Sequence, residues 1–197
     1  MSDTFLTLTE PSEGIYREKM SKFIATATPV TTVDEAKAVI ARFQKEYYDA
    51  RHVCWAYMLG ADRLTFQSND NGEPSGTAGK PILGQINSFG LTNVVITVVR
   101  YFGGIKLGTS GLIVAYREAA RLAIEAGNIV ERHETGQVEF AFPYLAMNDV
   151  MKLVKTSGAA IVCQTFDNSC SMTLETRRDH LDDLKRRIAD IDGTSIR

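Results

Sequence analysis

Cysteine, histidine, proline and tryptophan are scarce in this 197-residue chain, with three, three, five and one copies. Cys54, Cys163 and Cys170 form no Cys-x-x-Cys pair and are odd in number, which excludes a fully paired disulfide framework and predicts a reducing compartment, the cytoplasm. His52, His133 and His180 are scattered without ligand-like spacing, so a histidine metal centre is not expected. No run approaches the roughly 20 apolar residues of a membrane span, and Asp3, Glu10, Glu13, Arg17, Glu18 and Lys19 leave no room for a signal-peptide pattern in the first 20 residues. Neither sign of charge dominates. A net charge of −2 excludes a uniformly basic nucleic-acid coat, so any RNA contact must come from a local patch, and no DNA specificity is expected. Gly-x-Ser-x-Gly, His-Glu-x-x-His and Walker patterns are all missing, so no catalytic residue and no cofactor are predicted and the reading leans away from an enzyme.

Glycine, by contrast, is concentrated. Nine of 15 lie between Gly72 and Gly111, seven of them in two runs, one from Asp70 to Pro81 and one from Arg100 to Gly111. Glycine at such density is unfavourable unless the backbone must turn with positive φ or be closely approached. Each run precedes a pattern of helical period. Both loops are therefore expected to present free N–H groups at a helix start, with Lys80, Arg100 and Lys106 nearby, which is the raw material of an anion-binding surface.

The remaining pattern predicts an α+β protein of two domains, 1–130 and 131–197. Strands are expected around Thr4 to Leu8 and Lys22 to Val30. A helix follows, with Thr32 and Glu35 at capping-box spacing and Val33, Ala36, Ile40, Phe43 and Tyr47 forming a stripe. Val53 to Leu59 and Leu64 to Gln67 read as a hairpin. A second helix is marked by Ala78, Ile82, Ile86 and Phe89, a strand covered on both faces by Asn93 to Val99, and a third helix runs from about Thr109 to Ala126, stopped by Gly127-Asn128. The polar stretch from Glu131 to Gly136 reads as a linker. Beyond it a βαββα order follows: a strand at Val138 to Phe142, a helix through Met147 and Val154, a hairpin across Asp167-Asn168, and a last helix capped by Asp179. With a final strand at Thr194 to Arg197, this is the split βαβ or ferredoxin-like arrangement.

Several residues could carry chemistry. In the second run Gly103 and Gly104 permit the turn, Gly108 to Gly111 open the helix, Thr109 and Ser110 can cap it or bind a ligand, and Lys106 supplies charge; tight packing of a plain strand-to-helix connection is the competing reading. Arg100 beside Tyr101 and Phe102 suits base stacking or a protein interface, although both rings equally suit a core. Gly76, Thr77, Gly79 and Lys80 make the equivalent surface in the first run. Asp70 and Glu73 could hold Mg²⁺, but an Asp-Asn-Gly-Glu-Pro run fits plain turn chemistry better. His52 and Cys54 share a strand face, and a core cysteine with a satisfied histidine fits them better than a catalytic couple. The charges of the second domain, among them Arg177, Arg178, Lys185, Arg186 and Arg187, read as a solvated face diluted by Asp179, Asp182 and Asp183.

The two runs, Asp70 to Leu83 and Val98 to Gly108, with Ala50-Arg51-His52 before Cys54-Trp55-Ala56-Tyr57, closely resemble the bacterial YigZ proteins of the IMPACT family. The resemblance extends from about Tyr16 to the end. It implies an N-terminal domain folded like the second domain of a small-subunit ribosomal protein and a ferredoxin-like C-terminal domain similar to the last domain of the translocase EF-G. The family's eukaryotic relatives regulate translation under amino-acid starvation by protein contact, so the resemblance implies a surface and not a reaction. The reading is a non-enzymatic, translation-linked protein of the stress response whose glycine-loop face contacts RNA, the ribosome or a translation factor; the alternatives are a nucleotide- or phosphate-binding enzyme using the Gly103 to Gly111 loop and a protein-interaction module working through Tyr101, Phe102 and the second domain. Two positions depart from the family pattern. Asn71 stands where a second Asp is usual, which weakens the metal reading, and Ser110 replaces Gly, which leaves a helix-start anion site intact.

Overall fold

The computed structural model describes residues 4–166 and 170–197. The turn expected at Asp167-Asn168 lies outside the described residues. The architecture is mixed α and β, with sheets of five, four and two strands among the described residues. Two compact units divide the chain, Met1–Arg132 and His133–Arg197.

In the first unit the strands are β1 (Thr4–Leu8), β2 (Ser12–Glu18), β3 (Ser21–Pro29), β4 (His52–Leu59), β5 (Thr65–Asn69), β6 (Val94–Tyr101) and β7 (Ile129–His133), with helices α1 (Val33–Glu46), α2 (Gly79–Ser88) and α3 (Gly108–Glu125). Five of the strands form one antiparallel sheet in the order β2-β3-β6-β4-β5, while β1 and β7 pair separately. One face carries α2 and α3. There Phe23, Ala25, Ala27, Cys54, Ala56, Ile96 and Val98 pack against Ile82, Ile86, Leu112, Ala115, Tyr116 and Ala119. The other face carries α1, whose Ala36, Ile40 and Phe43 cover Tyr57, Val95, Val53 and Val99. Central β6 is thus apolar on both faces although every neighbour is antiparallel, which explains its unbroken β-branched run. The capping box of α1 forms as its spacing predicts: the Thr32 side chain accepts from the Glu35 N–H and the Glu35 carboxylate reaches back to the Thr32 N–H.

Strand β2 was not predicted, because its buried residue is a glycine. A Cβ on Gly14 would lie 2.3 Å from the backbone nitrogen of Ala123, so α3 rests directly on the strand backbone and no apolar side chain marks the contact. The stretch read as a linker, Glu131 to Gly136, is mostly strand. It looks like a connection because β7 belongs to a two-stranded ribbon with exposed polar positions. Gly127 follows the end of α3, where it is not a left-handed cap; its missing side chain leaves room for Leu8 and Ser12.

The second unit contains β8 (Thr135–Phe142), α4 (Met147–Ser157), β9 (Ala160–Phe166), β10 (Cys170–Arg177), α5 (Leu181–Ala189) and β11 (Ser195–Ile196). Its sheet order is β11-β8-β10-β9, antiparallel throughout. Val138, Phe140, Phe142, Met172 and Leu174 bury against Val150, Leu153, Leu184 and Ile188. Asp179 does not cap α5. A 3₁₀ turn at Arg178–His180 precedes the helix, and the Asp179 carboxylate pairs with Arg177 at 2.9 Å.

Candidate functional site

The two glycine-rich runs have opposite fates. In the first, Asp70 follows β5 and turns its carboxylate onto the start of α2, accepting hydrogen bonds from the backbone N–H groups of Gly76 at 2.8 Å, Ala78 at 3.0 Å and Gly79 at 2.8 Å. Partial burial opposes the charge, but these three donors, with Lys80 nearby, outweigh it and hold the Asp70 pKa below its ordinary value. The expectation of free amides therefore fails here: an acidic side chain of the protein already fills the anion position. Thr77 is buried with its hydroxyl on the Pro74 carbonyl at 2.6 Å. Gly79 is required by packing, since a Cβ there would sit 2.8 Å from the Asn69 nitrogen. Lys80 is exposed beside this turn.

Behind the loop lies a buried polar chain. Glu73 is 8% exposed, and its Oε1 accepts from Arg100 Nη1 at 2.7 Å and from the Tyr116 hydroxyl at 2.7 Å. Arg100 is 7% exposed, and its guanidinium lies 5.6 Å from the ring centres of both Phe23 and Phe102. Arg100 is therefore a wall residue within β6 held by a buried ion pair, not the free surface cation that its place after the predicted strand Asn93 to Val99 suggests. The Cys54 thiol lies 2.9 Å from the Asp70 carbonyl and 3.3 Å from the Tyr116 hydroxyl, and burial pushes its pKa up to about 12. Burial, the Cys54 neighbour and Glu73 likewise drive Tyr116 far above the ordinary phenol value. Both groups stay protonated. His52 Nδ1 meets the Asn71 carbonyl at 2.8 Å; since a carbonyl only accepts, that nitrogen carries the proton and Nε2 is left facing Glu73 Oε2 at 3.9 Å. Asp70 and Glu73 are thus held by backbone amides and by Arg100 and Tyr116, which leaves neither carboxylate in a metal-binding arrangement, and no cluster of three or more ligand-type residues occurs among the described residues.

The second run opens onto a cleft of about 460 Å³, lined by Arg51, His52, Glu73, Arg100, Phe102, Lys106, Gly108 and Thr109, with Gly72, Pro74, Leu107 and Leu112 completing it. It sits at the start of α3, where no side chain caps the helix. The dipole end and the unsatisfied first-turn N–H groups therefore face a cavity whose rim carries exposed Lys106 and Arg51. Phe102 is 48% exposed, whereas Tyr101 is half-buried with its hydroxyl on Asp49 at 2.9 Å. Gly103 shapes the approach to the cleft. A Cβ would lie 2.1 Å from the Met20 carbonyl carbon, and its N–H reaches Ser21 Oγ at 3.2 Å.

Of the residues expected to form one surface, Arg100, Phe102, Lys106, Gly108 and Thr109 line the cleft, together with Glu73. Gly103, Gly104 and Ser110 belong to the loop and helix start beside it, while Gly76, Thr77, Gly79 and Lys80 belong to the internally capped turn. The cleft also includes Arg51, whose sole signal was its place in the Ala50-Arg51-His52 motif, and His52, which the sequence placed on a strand face with Cys54. Tyr116 gave no signal at all, because on the apolar stripe of α3 it is indistinguishable from a core aromatic.

Comparison with known proteins accords with this geometry. The profile of the Impact N-terminal domain matches residues 19–124, which take in both glycine loops and the whole cleft lining. The chain is 38% identical over 132 residues to the IMPACT family member YvyE of Bacillus subtilis, covering 67% of this chain and 61% of that protein. It is 40% identical over 116 residues to YigZ of Escherichia coli, covering 58% of this chain and 57% of that one. The chain thus matches about three-fifths of the length of these curated relatives. A crystal structure of a hypothetical protein superposes with a TM-score of 0.76 at 26% identity, over 100% of this chain and 97% of the other. With more than half of its length in that domain and these relatives beside it, the chain belongs to the IMPACT family.

Proposed function

We propose that this protein is a non-enzymatic, translation-linked regulator that holds RNA on the cleft at the start of α3. The carrying observation is the union, in one cavity, of an uncapped helix N-terminus, Lys106 and Arg51 on the rim, and a half-exposed Phe102. Phosphates call for the first two and bases for the third. Family membership supports the link to translation, and the order β11-β8-β10-β9 supports reading the second unit as ferredoxin-like, in keeping with a ribosomal or translation-factor setting. Such a role places the protein in the cytoplasm. With a net charge of −2 the chain as a whole does not attract RNA, so affinity must reside in this patch.

Fluorescence anisotropy of a labelled single-stranded RNA across a salt series tests the reading. Affinity is expected to fall log-linearly with salt, and Arg51→Ala/Lys106→Ala is expected to flatten the slope by about 1.4, the share of two phosphate contacts on a single strand. Absence of binding at about 50 mM salt, or an unchanged slope in the double variant, overturns it.

A further inference from the structure

We infer that the cleft is a subsite for one nucleoside 5′-monophosphate unit, the phosphorylated 5′ end of an RNA or a free nucleotide, and not a channel for internal backbone. The inference rests on the reading of the cleft as the RNA-holding surface and names what that surface selects.

Size comes first. A volume of about 460 Å³ lies within the range of ligand pockets and is enough for one nucleotide. Glu73 and Arg100 form part of its wall, and Glu73 is tied to Arg100 and to Tyr116 by hydrogen bonds of 2.7 Å.

Charge comes second. A phosphate monoester carries close to two negative charges near neutral pH, whereas an internal diester carries one. Lys106, Arg51 and the start of the 18-residue α3 meet at a cavity whose one lining carboxylate among the described residues, Glu73, is paired with Arg100. That surplus of positive character suits the monoester. Arg100 adds an independent sign of a missing partner. Its side chain is more than nine-tenths buried on the cleft wall, Nη1 is used by Glu73, and Nε has no hydrogen-bond partner among the described residues. An unfilled buried donor is unfavourable until an acceptor arrives, and Arg100 lines the cleft in which a phosphate would supply one.

Phe102 completes the match. Arg100 lies over its ring at 5.6 Å and holds it in place, while its 48% exposure leaves surface on which a base attached to the bound phosphate can stack. Thr109, exposed in the first turn of α3, adds a hydroxyl beside the same phosphate position.

The test compares a 5′-phosphorylated RNA decamer with its 5′-hydroxyl counterpart, using AMP, adenosine and inorganic phosphate as competitors. The phosphorylated decamer is expected to bind at least about tenfold more tightly. AMP should displace it, adenosine and inorganic phosphate much less. Lys106→Ala should remove the preference for the phosphorylated end, and Phe102→Ala should weaken AMP and the decamer alike by about tenfold. Both side chains are exposed, and an unaltered Trp55 emission spectrum checks that the variants fold. Equal affinity for the two decamers without AMP competition overturns the subsite and leaves the RNA surface standing. AMP binding with neither decamer bound overturns the RNA reading and supports the subsite as one for a free nucleotide. Inorganic phosphate competing as well as AMP overturns the base-stacking half, and no binding of any probe overturns both readings.

Discussion

Removing the charge of Glu73 alone should be far more damaging than removing both charges of its ion pair. Glu73 and Arg100 have side chains 3% and 8% exposed and meet at 2.7 Å. In so dry a setting each charge depends on the other: taking away one partner of a buried pair costs about 3–5 kcal/mol, whereas replacing both is often close to neutral. Glu73→Gln keeps an acceptor for the Tyr116 hydroxyl but strands the guanidinium. Arg100→Met keeps apolar contact with Phe23 and Phe102 but strands the carboxylate. Each single change is therefore expected to lower stability by about 3–5 kcal/mol, a fall in Tm of roughly 10–20 °C for a unit of this size. The double variant should lose well below the sum, with a coupling of about 2 kcal/mol or more. Urea unfolding followed by Trp55 fluorescence is the assay, since the chain's single tryptophan lies on β4 and reports the first unit without contribution from His133–Arg197. Additive losses, or single losses below about 1 kcal/mol, would show that water reaches the pair and that it does not organise the cleft wall.

Asp70 gives the fold an acid limit. Its native pKa lies below the ordinary 3.8, so its contribution is complete above that value and is lost as pH falls through the lower native one; the stability gap between the parent and Asp70→Asn should close below about pH 4, and a constant gap from neutral to strongly acid pH would refute the cap. Cys54 acts at the alkaline end. With a native pKa of about 12 against an ordinary 9.0, its contribution is complete below pH 9 and declines as pH rises towards 12, because the unfolded thiol ionises first, and Cys54→Ala should remove that part of the alkaline loss. At mildly alkaline pH iodoacetamide should label exposed Cys163 but not buried Cys54 or Cys170; three adducts by intact mass without denaturant would contradict the burial.

Where side-chain pattern and burial coincide, the fold was legible from the residues. The α1 stripe, the β-branched run of β6 and the alternation in β8 each bury the side chains that their spacing indicates. It was illegible where backbone does the packing: Gly14 against α3 carries no apolar signature, so β2 was missed. The site was legible as a region and not as an arrangement. Glycine density located both loops, yet nothing in the sequence says that Asp70 folds back over six to nine residues to occupy the first, because a short acidic turn looks the same whether its carboxylate faces solvent or amides. Arg100 was misjudged for a related reason. A cation just past the apolar run of a buried strand reads as exposed unless its acid is known; Arg100 is still within β6, and Glu73 is 27 residues away.

The contrast between the two helix starts carries the functional argument further than either alone. Both α2 and α3 begin in glycine-rich turns, and both must find acceptors for first-turn N–H groups. At α2 the chain supplies its own, from Asp70. At α3 no side chain does, although Thr109 and Ser110 stand in the first turn and Glu73 lies across the cleft; Glu73 is instead drawn back onto Arg100 and Tyr116. The buried pair thus has two effects. It cancels the one carboxylate that would repel an anion from the cleft, and it keeps that carboxylate from capping α3 as Asp70 caps α2. Releasing Glu73 by Arg100→Met should therefore weaken phosphate binding more than loss of Lys106 does, since it both removes a cation and frees a competing anion inside the cavity. Parity between the two variants, measured with AMP on protein shown to be folded by Trp55 emission, would mean that the pair serves only packing.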